Sequence, residues 1–107
     1  YHAFSIAQTD SRLYDIINAV SSERIEADIT TLVNFGTRHT LSDTLSDSRG
    51  IGAARRWIKR EFESISKDCS NCLNVFYQKN LIEKGENNRI TNDVWVVNVA
   101  AVQKGSK

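Results

Sequence analysis

The most regular pattern in the sequence is a stripe of apolar residues with helical spacing in the middle third of the chain. The stripe consists of Ile51, Ala54, Ile58, Phe62 and Ile65, with Trp57 widening it. Steps of three and four residues place these side chains on one face of a helix with 3.6 residues per turn. We therefore predict a long amphipathic helix against which the rest of the chain packs.

The start of this helix carries two signals. Ser48, with Asp47 beside it, precedes the first apolar residue of the stripe. Side-chain oxygens of this kind accept hydrogen bonds from first-turn amides, so we predict that Ser48 caps the helix. Gly50 and Gly52 each disfavour a helix by about 1 kcal/mol relative to alanine. Their expected role is to let the first turn approach another backbone closely.

Two shorter helical patterns come earlier in the chain. Their apolar positions are Leu13, Ile16, Ile17 and Val20 in the first, and Ile25, Ile29, Leu32 and Val33 in the second. Asp10 or Ser11 is the predicted cap of the first helix, and Ser22 that of the second. Gly36 stands where a left-handed glycine usually ends a helix. Residues 1–9 are weakly patterned and are expected to form a lead-in arm.

The pattern changes to strands after the long helix. Residues 68–71 predict a turn, residues 73–83 are rich in β-branched and aromatic side chains, and residues 94–102 are almost continuously apolar. Gly85 and the two asparagines at 87 and 88 are the predicted turn positions of an antiparallel hairpin. A strand that is apolar on both faces is typical of a sheet covered on both sides. A two-stranded hairpin alone is only marginally stable in water.

These elements predict an α/β fold class, which is α+β within this chain. It comprises two or three N-terminal helices, the long amphipathic helix and the hairpin, which would begin a larger helix-flanked mixed sheet. A chain of 107 residues is one domain at most. Because the strands lack a second covering layer, we expect residues 1–107 to form a single incomplete domain.

Charge and hydropathy exclude two classes of partner. The net charge is only +1, which gives no global attraction to nucleic acid or to an anionic membrane. No apolar run approaches the roughly 18 residues that a membrane span needs. Five basic residues lie on the long helix without an acid between them: Arg49, Arg55, Arg56, Lys59 and Arg60. A nucleic-acid surface would also need exposed aromatics among them, so we interpret these residues as a solvated helix face.

Cys69 and Cys72 form the sharpest local motif. A redox pair would need its first cysteine at a helix N-terminus, whereas this pair follows a helix end. A zinc site would need two more ligands, and only His2 and His39 are available, far away in sequence. We predict a structural disulfide, which points to a secreted or periplasmic protein.

The loop before the long helix is rich in hydroxyl and charged side chains. His39 together with Ser42 or Ser48 and Asp43 or Asp47 suggests a Ser/His/Asp triad, but triads are assembled from distant positions on a rigid scaffold and not from one flexible loop. The simpler interpretation is a solvated loop with local turns, with Arg38 anchoring backbone carbonyls or a carboxylate. A third possibility is that Arg38 and His39 border a binding cleft.

Several of these segments together resemble a known family. RIEADITTLVNFGTRHT, DSRGIGAARRWIKREFESIS and VWVVNVAAVQKG are similar to the N-terminal part of the zinc-dependent aminopeptidases of metallopeptidase family twenty-eight. The family's helix pattern A-x-x-W-I-x-x-E-F is matched by Ala54, Trp57, Ile58, Glu61 and Phe62. The resemblance covers residues 23–105 and rests on packing motifs.

This resemblance implies a mixed sheet with helices on both faces, two zinc ions bridged by a carboxylate, and a glutamate as general base. The family's first metal-binding motif, His-x-Asp, lies downstream of the hairpin. No residue of this chain matches a metal ligand or the catalytic base, so no catalytic or metal residue is carried over. Only Arg38 and His39 correspond to a loop near the family's active edge, as candidate cleft neighbours.

The resemblance therefore implies a scaffold fragment of an exported aminopeptidase-like hydrolase acting on peptides, inactive alone and without a cofactor of its own. Its expected partner is the remainder of the peptidase domain. An exposed sheet edge would also favour self-association. The alternative is a small autonomous, non-enzymatic α+β interaction module stapled by the disulfide.

Overall fold

A computed structural model describes residues 10–106 of the chain, so the lead-in arm expected for residues 1–9 lies outside the described residues. The elements are α1 (Ser11–Ala19), α2 (Ser22–Asn34), α3 (Gly50–Asp68), β1 (Leu73–Ile82) and β2 (Val94–Gln103). This order confirms the predicted α+β class, with the long helix between two shorter ones and a hairpin. The larger mixed sheet stays a prediction.

The chain divides into two compact units, with the boundary between Thr31 and Leu32. In the first unit, Asp10 caps α1 as predicted, because its carboxylate accepts a hydrogen bond from the Arg12 amide at 2.9 Å. The predicted Ser22 cap of α2 is wrong by one residue. The Ser21 hydroxyl accepts the bond from the Arg24 amide at 3.1 Å, because an N-cap oxygen reaches the amide three residues later.

The second unit is built from α3 and the hairpin. The strands β1 and β2 pair antiparallel, with Tyr77 opposite Val99 and Phe76 opposite Ala100. Helix α3 packs on one face of this sheet, where Lys59 lies 5.5 Å from the centre of the Tyr77 ring. Because side chains alternate along a strand, Phe76 points to the other face and is 39% exposed.

A small core joins α3 to the end of α2. Phe35, Ala53 and Ala54 are buried, and Leu32 and Trp57 pack against them. The Phe35 and Trp57 rings meet in a tilted arrangement with their centroids 6.3 Å apart. Alanines at this point let the Phe35 ring approach the helix backbone. Gly36 has φ +78° and follows the end of α2, as the sequence predicts.

The hairpin connection is a long loop over residues 83–93. Gly85 has φ +92°, consistent with its predicted turn position. The Asn87 side chain accepts a hydrogen bond from the Arg89 amide at 2.9 Å. The Asp93 carboxylate accepts one from the Lys84 amide at 2.8 Å, which closes the base of the loop. The turn residues were thus placed correctly, but they form a loop rather than a two-residue turn.

Candidate functional site

The loop over residues 36–49 folds back on the first turn of α3. The N-cap position is Arg49, which makes no side-chain cap bond, so the predicted Ser48 cap is wrong. Instead, the Ser42 hydroxyl accepts a hydrogen bond from the Ile51 amide at 2.9 Å. The Asp43 carbonyl accepts one from the Gly52 amide at 3.1 Å. The helix is therefore capped by residues distant in sequence.

Gly50 and Gly52 permit this approach, as the sequence predicts. A Cβ atom at Gly50 would lie 2.5 Å from the Asp43 carbonyl oxygen, and one at Gly52 would collide with the Thr44 carbonyl. Gly50 also has φ +82°, a conformation that favours glycine. The two glycines therefore allow the loop backbone to lie directly against the helix.

Arg56 holds the loop from one turn further along α3. Its Nη1 donates to the Thr44 carbonyl at 2.9 Å, and its Nη2 donates to the Ser46 carbonyl at 2.5 Å. Its side chain is only 32% exposed, so the predicted solvated basic face is wrong for this residue. The planar guanidinium suits two carbonyls at once. Arg60, by contrast, is exposed as predicted.

Asp43 orders the loop through its side chain. The carboxylate accepts hydrogen bonds from the Leu45 amide at 2.7 Å and from the Ser46 amide at 3.1 Å. These bonds lower the pKa of Asp43 below the usual range of an aspartate, and the positive charge of Arg56 adds to the effect. The carboxylate therefore acts as a hydrogen-bond acceptor for backbone amides of the loop.

His39, Ser42 and Asp43, for which the sequence suggests but disfavours a triad, do not assemble into one. The Ser42 hydroxyl donates to the His39 carbonyl at 2.6 Å rather than bonding to the imidazole. The imidazole Nδ1 accepts a bond from the Leu41 amide at 3.1 Å. These local turns match the interpretation as a solvated loop with local turns, and they give the three side chains no triad geometry.

Arg38 and His39 are both exposed. The Arg38 guanidinium makes no hydrogen bond to any residue between 10 and 106, so the predicted carbonyl or carboxylate anchor is not formed there. Neither residue lines the clefts described below, although the neighbouring Thr40 lines the smaller one. Their role as cleft neighbours stays a prediction.

Two separate links, a disulfide and a pair of hydrogen bonds, stabilise the corner between α3 and β1. Cys69 and Cys72 form the predicted disulfide, with Cα atoms 5.4 Å apart. The buried Ser66 hydroxyl donates to the Leu73 carbonyl at 3.0 Å and accepts from the Leu73 amide at 3.1 Å. Ser66 therefore ties the last turn of the helix to the first residue of the strand.

An open cleft of about 470 Å³ lies beside α3, on the face of the sheet against which α3 packs. Its lining residues are Arg55, Arg56, Tyr77, Lys79, Trp95 and Val97. A smaller hollow of about 190 Å³ shares Arg55, Trp95 and Val97 with it. We call the two together the basic groove. Its lining combines cationic side chains with aromatic and apolar ones.

Zinc does not fit the residues that the structure describes. Between residues 10 and 106, no group of three or more histidine, cysteine, aspartate or glutamate side chains could hold a metal ion. Both cysteines are joined in the disulfide, and the Nδ1 atom of His39 already accepts a backbone bond. We therefore assign no metal-dependent step to this chain. None of the described helices has the length and apolar character of a membrane span.

Comparison with known proteins finds sequence similarity to proteins named probable zinc metalloproteases. No protein-family model matches the sequence, and no solved structure matches it. Two probable zinc metalloproteases of Pyrenophora tritici-repentis are 37% and 41% identical to it over 98 residues, which make up 92% of the chain but 23% and 20% of those relatives. One of Phaeosphaeria nodorum is 38% identical over 98 residues, covering 92% of the chain and 20% of the relative.

The chain spans about a fifth of the length of these curated relatives. The shared residues cover nearly all of the chain. By sequence it is therefore a homologue of one part of proteins named probable zinc metalloproteases.

Proposed function

We propose that this chain is the N-terminal scaffold of an exported zinc aminopeptidase-like hydrolase that removes N-terminal residues from peptides. The observation that carries the proposal is the 37–41% identity to probable zinc metalloproteases over 92% of the chain. The aminopeptidase specificity rests on the family motif at Ala54, Trp57, Ile58, Glu61 and Phe62.

The residues of this chain would supply support rather than chemistry. Two zinc ions in the parent protein would be held by residues outside this stretch, where they would activate water and polarise the scissile carbonyl. The part proposed for this chain is to fix the loop of residues 36–49 on α3 through Ser42, the two glycines and Arg56. We expect the 107-residue chain alone to be inactive.

The hairpin suits a larger sheet. In the described sheet each strand pairs only with the other, so both outer edges are unpaired. The face opposite α3 carries apolar side chains such as Phe76 and Val102, which are 39% and 52% exposed. Further strands and a covering layer would bury this surface, which supports the remainder of a peptidase domain as partner.

The activity test compares two proteins on peptide substrates. The longer polypeptide encoded with this stretch should release N-terminal residues, lose that activity with a chelator and regain it with zinc. The 107-residue chain should release none under the same conditions. Zinc-dependent release by the short chain, or a zinc-loaded longer polypeptide without any peptidase activity, would contradict the proposal.

The unpaired edges predict a second behaviour of the isolated chain. Exposed strand edges recruit other strands, so we expect the 107-residue chain to self-associate. Light scattering over a concentration series should give a mass above that of a monomer. A constant monomer mass would argue against association through the sheet edge.

Export is proposed from the disulfide, because such bonds persist in oxidising compartments. Thiol labelling of the protein from its source should find Cys69 and Cys72 oxidised and the protein outside the cytosol. Cytosolic protein with two free thiols would contradict this part of the proposal.

One observation favours the alternative of a non-enzymatic interaction module. The basic groove is open and lined by cations and an exposed tryptophan, as a docking surface would be. A module of this kind should unfold cooperatively as a monomer, whereas an incomplete scaffold should be loosely packed or associated. Thermal unfolding monitored by circular dichroism separates the two.

A further inference from the structure

The basic groove contains two cations that the fold does not use. Arg55 lines both of its hollows, and Lys79 lines the larger one. Neither side chain forms an ion pair or hydrogen bond with any residue between 10 and 106. Two other cations of α3 do have partners. Arg56 donates hydrogen bonds to loop carbonyls, and Lys59 pairs with Glu63 at 3.2 Å.

Apolar side chains line the groove together with these two cations. Trp95 lines both hollows together with Val97, and it is 56% exposed. It stands opposite Leu81 in the strand register, and Leu81 is also exposed. An exposed tryptophan beside unpaired cations is the composition of an interface anchor, because tryptophan and arginine dominate binding energies at protein interfaces.

We infer that the basic groove is a docking site for an acidic peptide segment of a partner protein. Carboxylates of that segment would pair with Arg55 and Lys79, and one apolar side chain would pack on Trp95. The larger hollow of the groove, of about 470 Å³, is large enough for one or two side chains. This inference does not rest on the hydrolase proposal.

Charge and composition favour a peptide over a nucleic acid. The net charge of the chain is +1, and within residues 10–106 the groove offers two cations without an ion pair. A nucleic-acid strand needs a longer run of phosphate contacts to bind tightly. Two carboxylates flanking an apolar side chain match the groove more closely. We therefore expect the groove to bind an acidic peptide more tightly than a single-stranded nucleic acid.

The test uses the 107-residue chain and a dye-labelled synthetic peptide of about ten residues, made of glutamate and serine with one central leucine. Binding is followed by fluorescence anisotropy. The probes for comparison are the same peptide with lysine in place of glutamate, and a single-stranded thymidine oligonucleotide. Added salt should weaken binding of the acidic peptide, because the contacts are partly exposed ion pairs.

Two double variants separate the groove from general charge. Arg55→Gln with Lys79→Gln should weaken binding about tenfold, since two ion pairs are lost. Arg60→Gln with Lys104→Gln removes the same charge from exposed positions outside the groove and should change the affinity by less than about twofold. Trp95→Ala, at an exposed position, should also weaken binding.

Five results would overturn the inference. They are no binding of the acidic peptide up to roughly millimolar concentration, equal losses in both double variants, unchanged binding by the Trp95→Ala variant, equal binding of the lysine peptide, and tighter binding of the oligonucleotide. Circular dichroism of each variant checks its fold. If the groove variant unfolds, the Trp95→Ala variant and the oligonucleotide comparison still decide the matter.

Discussion

The side-chain oxygen of Ser42 lies 2.9 Å from the amide nitrogen of Ile51, which it caps across nine positions of sequence. Most helix caps come from the residue directly before the helix, because its side chain already points at the first-turn amides. Here the loop between the two residues turns back to bring Ser42 to the same place. The cap therefore connects the stability of α3 with the conformation of the loop.

Ser42→Ala should lower the free energy of unfolding by about 1–2 kcal/mol, because the Ile51 amide loses its acceptor and the His39 carbonyl loses a donor. The matched control is Ser48→Ala, whose effect should stay within about 0.5 kcal/mol. Urea unfolding followed by circular dichroism measures both. A larger loss in the Ser48 variant would reverse the assignment of the cap.

Gly52→Ala should destabilise the protein although alanine is the better helix former. The added methyl group would collide with the Thr44 carbonyl, and such overpacking costs about 1–3 kcal/mol. That exceeds the gain in helix propensity of about 1 kcal/mol. Ser64→Ala, at an exposed position of α3, should instead be neutral or slightly stabilising. Thermal unfolding measures both variants: the midpoint temperature should fall for Gly52→Ala and should stay the same or rise slightly for Ser64→Ala.

Arg56→Lys should loosen the loop, because one ammonium group cannot reproduce the two guanidinium bonds to the Thr44 and Ser46 carbonyls. We expect a loss of about 1.5–3 kcal/mol, the usual value of hydrogen bonds to a charged group. Amide hydrogen exchange should accelerate in residues 42–52. The control, Arg60→Lys, should leave exchange unchanged, and equal effects of both variants would contradict the proposed role of Arg56.

The pH dependence of unfolding should report on Asp43. Its pKa is lowered in the folded state by bonds from the Leu45 and Ser46 amides, so the unfolded chain binds a proton first as pH falls. The stability from this carboxylate is complete above the usual aspartate range and is lost as pH falls through the lower folded pKa. Asp43→Asn should be less stable than wild type at neutral pH, and the difference should shrink in acid. A difference that stays constant down to low pH would argue against this origin.

Loss of the disulfide and loss of Ser66 should each lower the free energy of unfolding by a similar, moderate amount. Closing so short a loop gains about 2 kcal/mol in the chain-entropy model, so Cys69→Ser with Cys72→Ser should stay folded. Ser66→Ala leaves both backbone groups of Leu73 without their partner, at about 1–3 kcal/mol. Combining the variants tests whether the two links support each other. A fully unfolded cysteine variant would mean that Ser66 cannot hold the corner alone.

The helices and strands were predictable because each corresponds to a local sequence pattern, either apolar residues at helical spacing or a run of β-branched residues. Asp10 was also predictable as a cap, since it stands directly before α1. Ser42, Arg56 and Ser66 were not, because their partners lie seven or more positions away and depend on how the chain turns. Gly50 and Gly52 gave the one local sign of that contact.

The basic groove was also beyond the reach of periodicity. The sequence places Arg55 and Arg56 side by side on α3 but does not separate their roles. Only the packing of the helix on the sheet leaves Arg55 beside Trp95 while Arg56 turns to the loop. Adjacent residues of the same type can therefore serve different purposes, and a count of basic positions does not distinguish them.

The contact between the loop and the first turn of α3 also restricts how related sequences can vary. At Gly50 and Gly52 any side chain would occupy space that the loop backbone fills. Substitution there would require the loop to change course, whereas exposed positions such as Ser48 can vary independently. Among homologues that keep this loop length, the two glycines should change least and should be lost together with the serine at position 42.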